Sequence, residues 1–247
     1  MARDNPVWGE ESIANELLLK LGLRIPPRTV RKYMPKHFDR GRNYGILSQR
    51  WRTFVRNHAQ AVVACDFCMV VTATFRLLYV FVLMEHATRR IPHCNVTAHP
   101  TAQWTLQQLR EAIPSDLGYR FLIHDRDRIF SQQLDRHVEN LGLRVLTTPV
   151  RRPQANAFCE RLLGMLRRQC LDFLIPLTEH HLRRLLHEWA THYNTGRAHM
   201  SLGPGIPQPP ASLPVPLQAH RHRLPAHLPV VARPILGGLH HEYGLEA

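Results

Sequence analysis

The 247-residue sequence predicts a mixed α/β fold, a sheet with helices on both faces. Three observations predict it. Residues 61–71 and 77–84 are apolar on both alternations, as strands covered on two faces are. The segments that follow switch between short apolar runs and amphipathic stretches at the 3.6-residue period. The resulting order, β-β-β-α-β-α-β-α-α, suits a mixed sheet flanked by helices.

Taken in order, the chain opens with two short helical segments. Ser12 is placed to cap a helix with Ile13, Leu17, Leu18 and Leu21 as its apolar set, and Gly22 ends it. Ile25, Pro26 and Pro27 make a turn, and residues 29–34 form a second helix with Arg28, Arg31 and Lys32 outward. Residues 1–35 therefore read as a helix-turn-helix suited to DNA, with a purely structural hairpin as the alternative. Residues 36–58 carry Lys36, Arg40, Arg42, Arg50, Arg52 and Arg56 against Asp39 alone, which reads as a basic linker.

Strands are expected at 61–71, 77–84 and 89–96, the last after a turn at 86–88. A helix follows over 101–113 with Trp104, Leu106, Leu109 and Ile113 as its stripe. A fourth strand, 119–123, ends at His124-Asp125. A helix over 132–141 is stopped by Gly142, and Val145-Leu146 is a short fifth strand. After a loop at 147–152, Pro153 and Asn156 suit the start of a helix that ends near Phe173. One face of it carries Cys159, Leu162, Leu163, Leu166, Cys170 and Phe173; the other carries Glu160, Gly164, Arg167, Arg168 and Leu171. Thr178 caps a last helix to Tyr193. Residues 204–247 hold nine prolines between Pro204 and Pro234, and read as an extended or partly disordered tail in which 228–236 adds a strand to the core or to a partner.

Composition narrows the partner. Lysine plus arginine number 32 against 19 acids, a net charge of +13 and a pI near 10.4, which points to a polyanion such as nucleic acid. The five cysteines follow no framework spacing and fit a reduced, cytoplasmic compartment. Cys65 and Cys68 stand three apart in a strand, so they point to opposite faces and are not expected to share zinc. No secretory signal opens the sequence, and its longest apolar run is too short to span a bilayer.

Three acids carry the chemistry. Asp66 sits mid-strand among Val62, Val63, Ala64, Cys65 and Phe67, where a carboxylate is costly without a metal or a charge partner. Asp125 lies just past the apolar run Phe121-Leu122-Ile123, at a strand end of the kind where open α/β sheets place ligands. Glu160 opens a helix able to pack beside those strands. Alone, it reads as a solvated acid favouring a helix N-terminus. With the other two, and with Arg161, Arg167 and Arg168 close by, it makes a site for divalent metal and phosphate.

At these residues the chain resembles the catalytic cores of DDE-type integrases and transposases, such as retroviral integrases and bacterial insertion-sequence transposases. The resemblance rests on Asp66 in the first strand, on His124-Asp125-Arg126-Asp127 after the fourth, and on the 35 residues separating Asp125 from Glu160. It also rests on Pro153-Gln154-Ala155-Asn156-Ala157-Phe158-Cys159-Glu160-Arg161 and on Tyr193-Asn194-Thr195-Gly196-Arg197-Ala198-His199. It covers about residues 59–203.

The resemblance implies an RNase H-like fold, a mixed five-stranded sheet flanked by helices. It implies that Asp66 and Asp125 bridge Mg²⁺ (or Mn²⁺) and that Glu160 completes one metal's shell. The activity implied is cleavage and strand transfer of DNA, at element ends and target, by a homo-oligomer associated with a bacterial nucleoid. Arg28, Arg31, Lys32, Arg161, Arg167 and Arg168 are the expected DNA contacts. Arg128 departs from the glycine common after D-x-D, and Ala198 from a proline. Relatives usually carry more helical sequence upstream, so a truncated copy is also expected. The alternatives are a catalytically inactive DNA-binding regulator or transposase remnant, and a structure-specific nuclease. Asp127 ranks second to Asp125. His124 reads as packed, and the pairs His180-His181 and His240-His241 are not expected to bind zinc.

Overall fold

The computed structural model describes residues 8–34, 54, 57–113, 118–125, 127–147, 156–203, 205–209 and 229–245. Most of the expected basic linker, and the stretch 210–228 of the proline-rich segment, lie outside these residues. The chain divides into two compact units, Asn43–His187, and Met1–Arg42 with Glu188–Ala247.

The first unit is built on a five-stranded sheet of β1 (Val62–Val71), β2 (Leu77–Glu85), β3 (His93–Thr97), β4 (Phe121–His124) and β5 (Arg144–Thr147), in the order β3-β2-β1-β4-β5. The pairs β1/β2 and β2/β3 are antiparallel; β1/β4 and β4/β5 are parallel. β1 and β2 are central and buried on both faces over most of their length, which is why their sequences lack a polar alternation. Val63, Cys65, Phe81 and Leu83 point to one face, under Leu106 and Leu109 of a helix Ala102–Ala112 and Leu134 and Val138 of a helix Gln132–Asn140. The opposite face of β1 and β2 is covered by the helix Ala157–Leu166, through which Cys159, Leu162 and Leu166 are fully buried. This is the mixed five-stranded, helix-flanked RNase H-like arrangement that the resemblance implied.

Those three helices are α3, α4 and α5, after α1 and α2 of the other unit. Thr101 and Ser131 cap α3 and α4, their hydroxyls each accepting a backbone N–H three residues on, from Trp104 and Leu134. A π-helical turn, Arg167–Leu171, continues α5. Phe173 lies beyond this turn and is half exposed, so the expected apolar face closes at Cys170 instead. The last helix, α6 (Glu179–Thr191), has Thr178 at its start as expected, where the hydroxyl accepts from His181 N–H. His181 in turn accepts from Leu177 N–H through Nδ1, an ordinary structural role.

In the second unit, α1 (Glu10–Leu21) starts after Gly9 rather than at Ser12. Gly22 ends it as expected: at φ 66° it adopts the left-handed conformation, and its N–H reaches Leu17 and Leu18 carbonyls. α2 (Pro27–Tyr33) begins two residues before the expected start because proline suits the first helical position. Trp8, Ile13, Ala14 and Val30 pack between α1 and α2. Arg28, Arg31 and Lys32 are exposed on α2. The C-terminal segment is more ordered than its composition implied. β6 (Val230–Ile235) pairs antiparallel with β7 (His240–Leu245) in a two-stranded sheet, so the strand expected at 228–236 forms, but outside the five-stranded sheet. No helix among the described residues is long and apolar enough to cross a membrane.

Candidate active site

The site is built by strand register. β1 pairs with β4 as Val62↔Phe121, Val63↔Leu122 and Ala64↔Ile123. Carried two residues on, the same register brings Asp66 level with Asp125. Neighbouring strands run about 4.8 Å apart, and residues two apart share a face. That register directs Asp125 toward Asp66, whose carboxyl feels its charge, at the point where β4 ends and β1 continues. Glu160 reaches the same region from the first turn of α5, which packs against β1 and β2. Phe158 fixes that turn: its ring meets His86 edge-on at 4.3 Å and carries the Arg89 guanidinium 3.4 Å above it.

Electrostatics ties the three acids together. Asp66 is only 8 % exposed. Burial, then the charge of Asp125, and further those of Glu160 and Asp127, push its carboxyl up to about 7, against the pull of a hydrogen bond from Phe67 N–H. Burial and Asp125 also raise Glu160. The Cys65 and Cys159 thiols, fully buried beside these acids, are pushed well above the ordinary thiol range by burial first and by Asp66 next, so neither is a nucleophile. Among the described residues, none of the three acids forms an ion pair. Nor does any group of three or more His, Cys, Asp and Glu side chains lie close enough to hold a metal unaided. The donor set is nonetheless the one Mg²⁺ takes, carboxylate oxygens around an uncompensated negative centre. A buried amide oxygen with no hydrogen-bond partner among the described residues, Asn156 Oδ1, stands beside it.

Neighbouring groups have other work. Asp125 Oδ1 accepts from Asp127 N–H at 2.9 Å, and Asp127 Oδ1 from Ile129 N–H at 3.2 Å, so Asp127 braces the turn. His124 is packed, as expected: it stacks on Phe130 at 4.4 Å and its Nε2 lies 3.0 Å from Asp135. Arg161, Arg167 and Arg168 are exposed on α5 and the turn after it. Arg167 donates to Met69 O at 3.4 Å. Arg168 lies along the helix over Gly164, where a Cβ would sit 3.1 Å from its Nη1. Asn156 was legible only as a helix cap. It stands at that position but makes no capping bond.

Residues 141–207 match the family model described as Integrase core domain, a span that contains Glu160 but neither aspartate. That match bears out the resemblance to DDE-type integrase and transposase cores. Among solved structures, the chain is similar to the simian T-cell lymphotropic virus intasome in complex with PP2A regulatory subunit B56 gamma. There the identity is 14 %, over 76 % of this chain and 67 % of that one, with a TM-score of 0.49. It is similar to the catalytic core domain of BIV integrase at 16 % identity, over 60 % and 91 % of the two chains, TM-score 0.45. It is also similar to the catalytic domain of Mos1 mariner transposase at 13 % identity, over 60 % and 84 %, TM-score 0.48. No curated protein matches the sequence.

Proposed function

We propose that this chain is a DDE-type polynucleotidyl transferase that cleaves and joins DNA strands, as a transposase does. The single observation that supports this reading is the charge coupling of buried Asp66 to Asp125 and Glu160, in keeping with a β1/β4 register that runs toward both aspartates. Asp66, Asp125 and Glu160 would hold the divalent metal. Bound there, Mg²⁺ would supply the Lewis acid that activates the attacking oxygen and neutralises charge building at phosphorus.

The chain's own residues position and steer. The buried wall of β1 and α5 fixes the carboxylates, so little reorganisation is left for the reaction itself. In the first step a water oxygen bonds to phosphorus and the P–O3′ bond breaks, leaving a 3′-OH and a 5′-phosphate. In the second, that 3′-OH oxygen bonds to a target phosphorus and displaces the target's own 3′ oxygen. Arg161, Arg167 and Arg168 would hold phosphates beside the acids, and Arg28, Arg31 and Lys32 would add contacts from α2. Joining two ends to one target favours a homo-oligomer on DNA.

The test is gel cleavage and joining on duplexes carrying the ends of the element that encodes the chain, with and without Mg²⁺. Wild-type protein should cut and join. Asp66→Asn, Asp125→Asn and Glu160→Gln should each abolish both while DNA binding holds, and Asp127→Asn should do much less. Folded, DNA-binding wild-type protein that never cuts with Mg²⁺ or Mn²⁺ would instead establish a DNA-binding regulator.

A further inference from the structure

Four helices of the sheet unit start on a residue able to cap, and Thr178 caps α6. Thr101 and Ser131 spend their side chains on capping α3 and α4. Asn156 holds the same position on α5, is only 2 % exposed, and makes no capping bond. Its amide turns away from the helix and toward β1. Nδ2 lies 3.3 Å from Cys65 O and 3.5 Å from Asp66 Oδ2. Two acceptors face that nitrogen, which fixes the orientation of the amide and leaves Oδ1 buried without a hydrogen-bond partner among the described residues. An N-cap asparagine ordinarily stabilises its helix, and a buried polar atom left unpaired is costly. Stability alone does not account for the arrangement.

Two geometric facts give it a use. Asp66 Oδ1 is already held by Phe67 N–H at 2.8 Å, so the Asn156 amide bounds the second oxygen and the carboxylate plane is set from both sides. Asn156 and Glu160 are also four residues apart at the start of α5, which places them on one face of the helix. The residue that touches Asp66 therefore also sets where Glu160 stands relative to it.

We propose that Asn156 is a positioning residue of the carboxylate site: it orients Asp66 through Nδ2, locks the start of α5 to β1, and so sets the Asp66–Glu160 spacing that a divalent cation needs. This rests on the function proposed above. Groups that orient metal ligands in this way typically change metal affinity 10–100-fold when removed.

The test measures Mn²⁺ binding by electron paramagnetic resonance on the full chain, with Asp66→Asn protein as the background for other sites. Melting curves accompany it. Asn156→Leu keeps the volume and removes the amide; Asn156→Ala is the second variant. Both are expected to fold, and to bind Mn²⁺ about 10-fold more weakly than wild type. The Mg²⁺ concentration for half-maximal cleavage should rise in parallel. Lower melting temperatures with wild-type Mn²⁺ binding would overturn the inference and leave Asn156 a structural tie. No Mn²⁺ binding above background in the wild type would overturn the function proposed above, and this role with it.

Discussion

Each unit of this chain buries charge, and the two do it in opposite ways. In the sheet unit, Asp66 has Asp125 and Glu160 as charged neighbours and no ion pair among the described residues, and burial together with repulsion raises Asp66 and Glu160. In the other unit, Glu16 is 1 % exposed, and burial likewise pushes it up to about 7. There, however, Lys20 and Arg197 pull against burial. Glu242 also meets a cation. Burial pushes its carboxyl up, but the hydrogen bond from His192 at 2.7 Å, the charge of His192, and then Lys20 and Arg233 outweigh burial and lower it. Acids mixed with bases make a structural clasp. Acids alone make a demand for something the chain does not contain, and the sign of the local balance tells the two apart.

The largest expected effect breaks the sheet site. Asp66→Asn, Asp125→Asn and Glu160→Gln should each lower Mg²⁺-dependent cleavage by at least about 10³-fold, since each removes charge where a metal would sit. Asp66→Asn should at the same time raise the melting temperature at pH 8, because it removes a repelled, buried carboxylate. Loss of cleavage with a fall in stability would put Asp66 in the structural class instead.

The next effect breaks the clasp. A Cβ on Gly196 would come 1.6 Å from Glu242 Oε1 and 2.9 Å from His192 Nδ1, so any side chain must expel the Glu242 carboxylate. Gly196→Ala should cost about 2–4 kcal/mol in denaturant unfolding. Glu242→Gln should cost less, since its amide keeps the shape. A neutral Gly196→Ala would show that the pair carries no stability.

Smaller again is the dependence on pH. Asp66 and Glu16 both have folded values near 7, raised from ordinary carboxyl values of 3.8 and 4.5. Between those limits the folded chain holds protons that the unfolded chain has released. Stability contributed by these groups is therefore full below about pH 4 and is lost as pH rises through 7. Asp66→Asn and Glu16→Gln should each flatten the decline between pH 5 and 8, by roughly 1–3 kcal/mol. Millimolar Mg²⁺ at pH 8 should restore melting temperature in the wild type and in Glu16→Gln but not in Asp66→Asn, which separates a cation-binding site from a buried acid among bases.

The smallest effects belong to exposed arginines. Arg161→Ala, Arg167→Ala and Arg168→Ala should each weaken DNA binding a few-fold and reduce the slope of log affinity against log salt by about 1. Unchanged slopes would remove these side chains from the phosphate path.

What the sequence by itself determined is the sheet and the buried acid, Asp66, within it. β1 and β2 are covered on two faces, so their runs are apolar on both alternations, and a carboxylate inside such a run is visible because it is costly. His124 read correctly as packed for the same local reason. The tertiary structure alone decided which polar atoms meet. Asn156 has the composition of a cap, and only the approach of α5 to β1 turned its amide to Asp66, a residue 90 positions away. Phe173 fitted the apolar face of α5 until the turn after it carried the chain into the open. A strand is expected where β6 lies, but its partner β7 and the hairpin they form escape notice, because β7 is mostly half-exposed and shows no strand alternation. Glu16, Arg197 and Glu242 come from three distant stretches of the sequence. Local pattern records whether a residue is buried, because burial recurs along the chain with the period of its helix or strand. It does not record a partner, because pairing across long separations is set by register and packing that emerge only when the whole chain has closed.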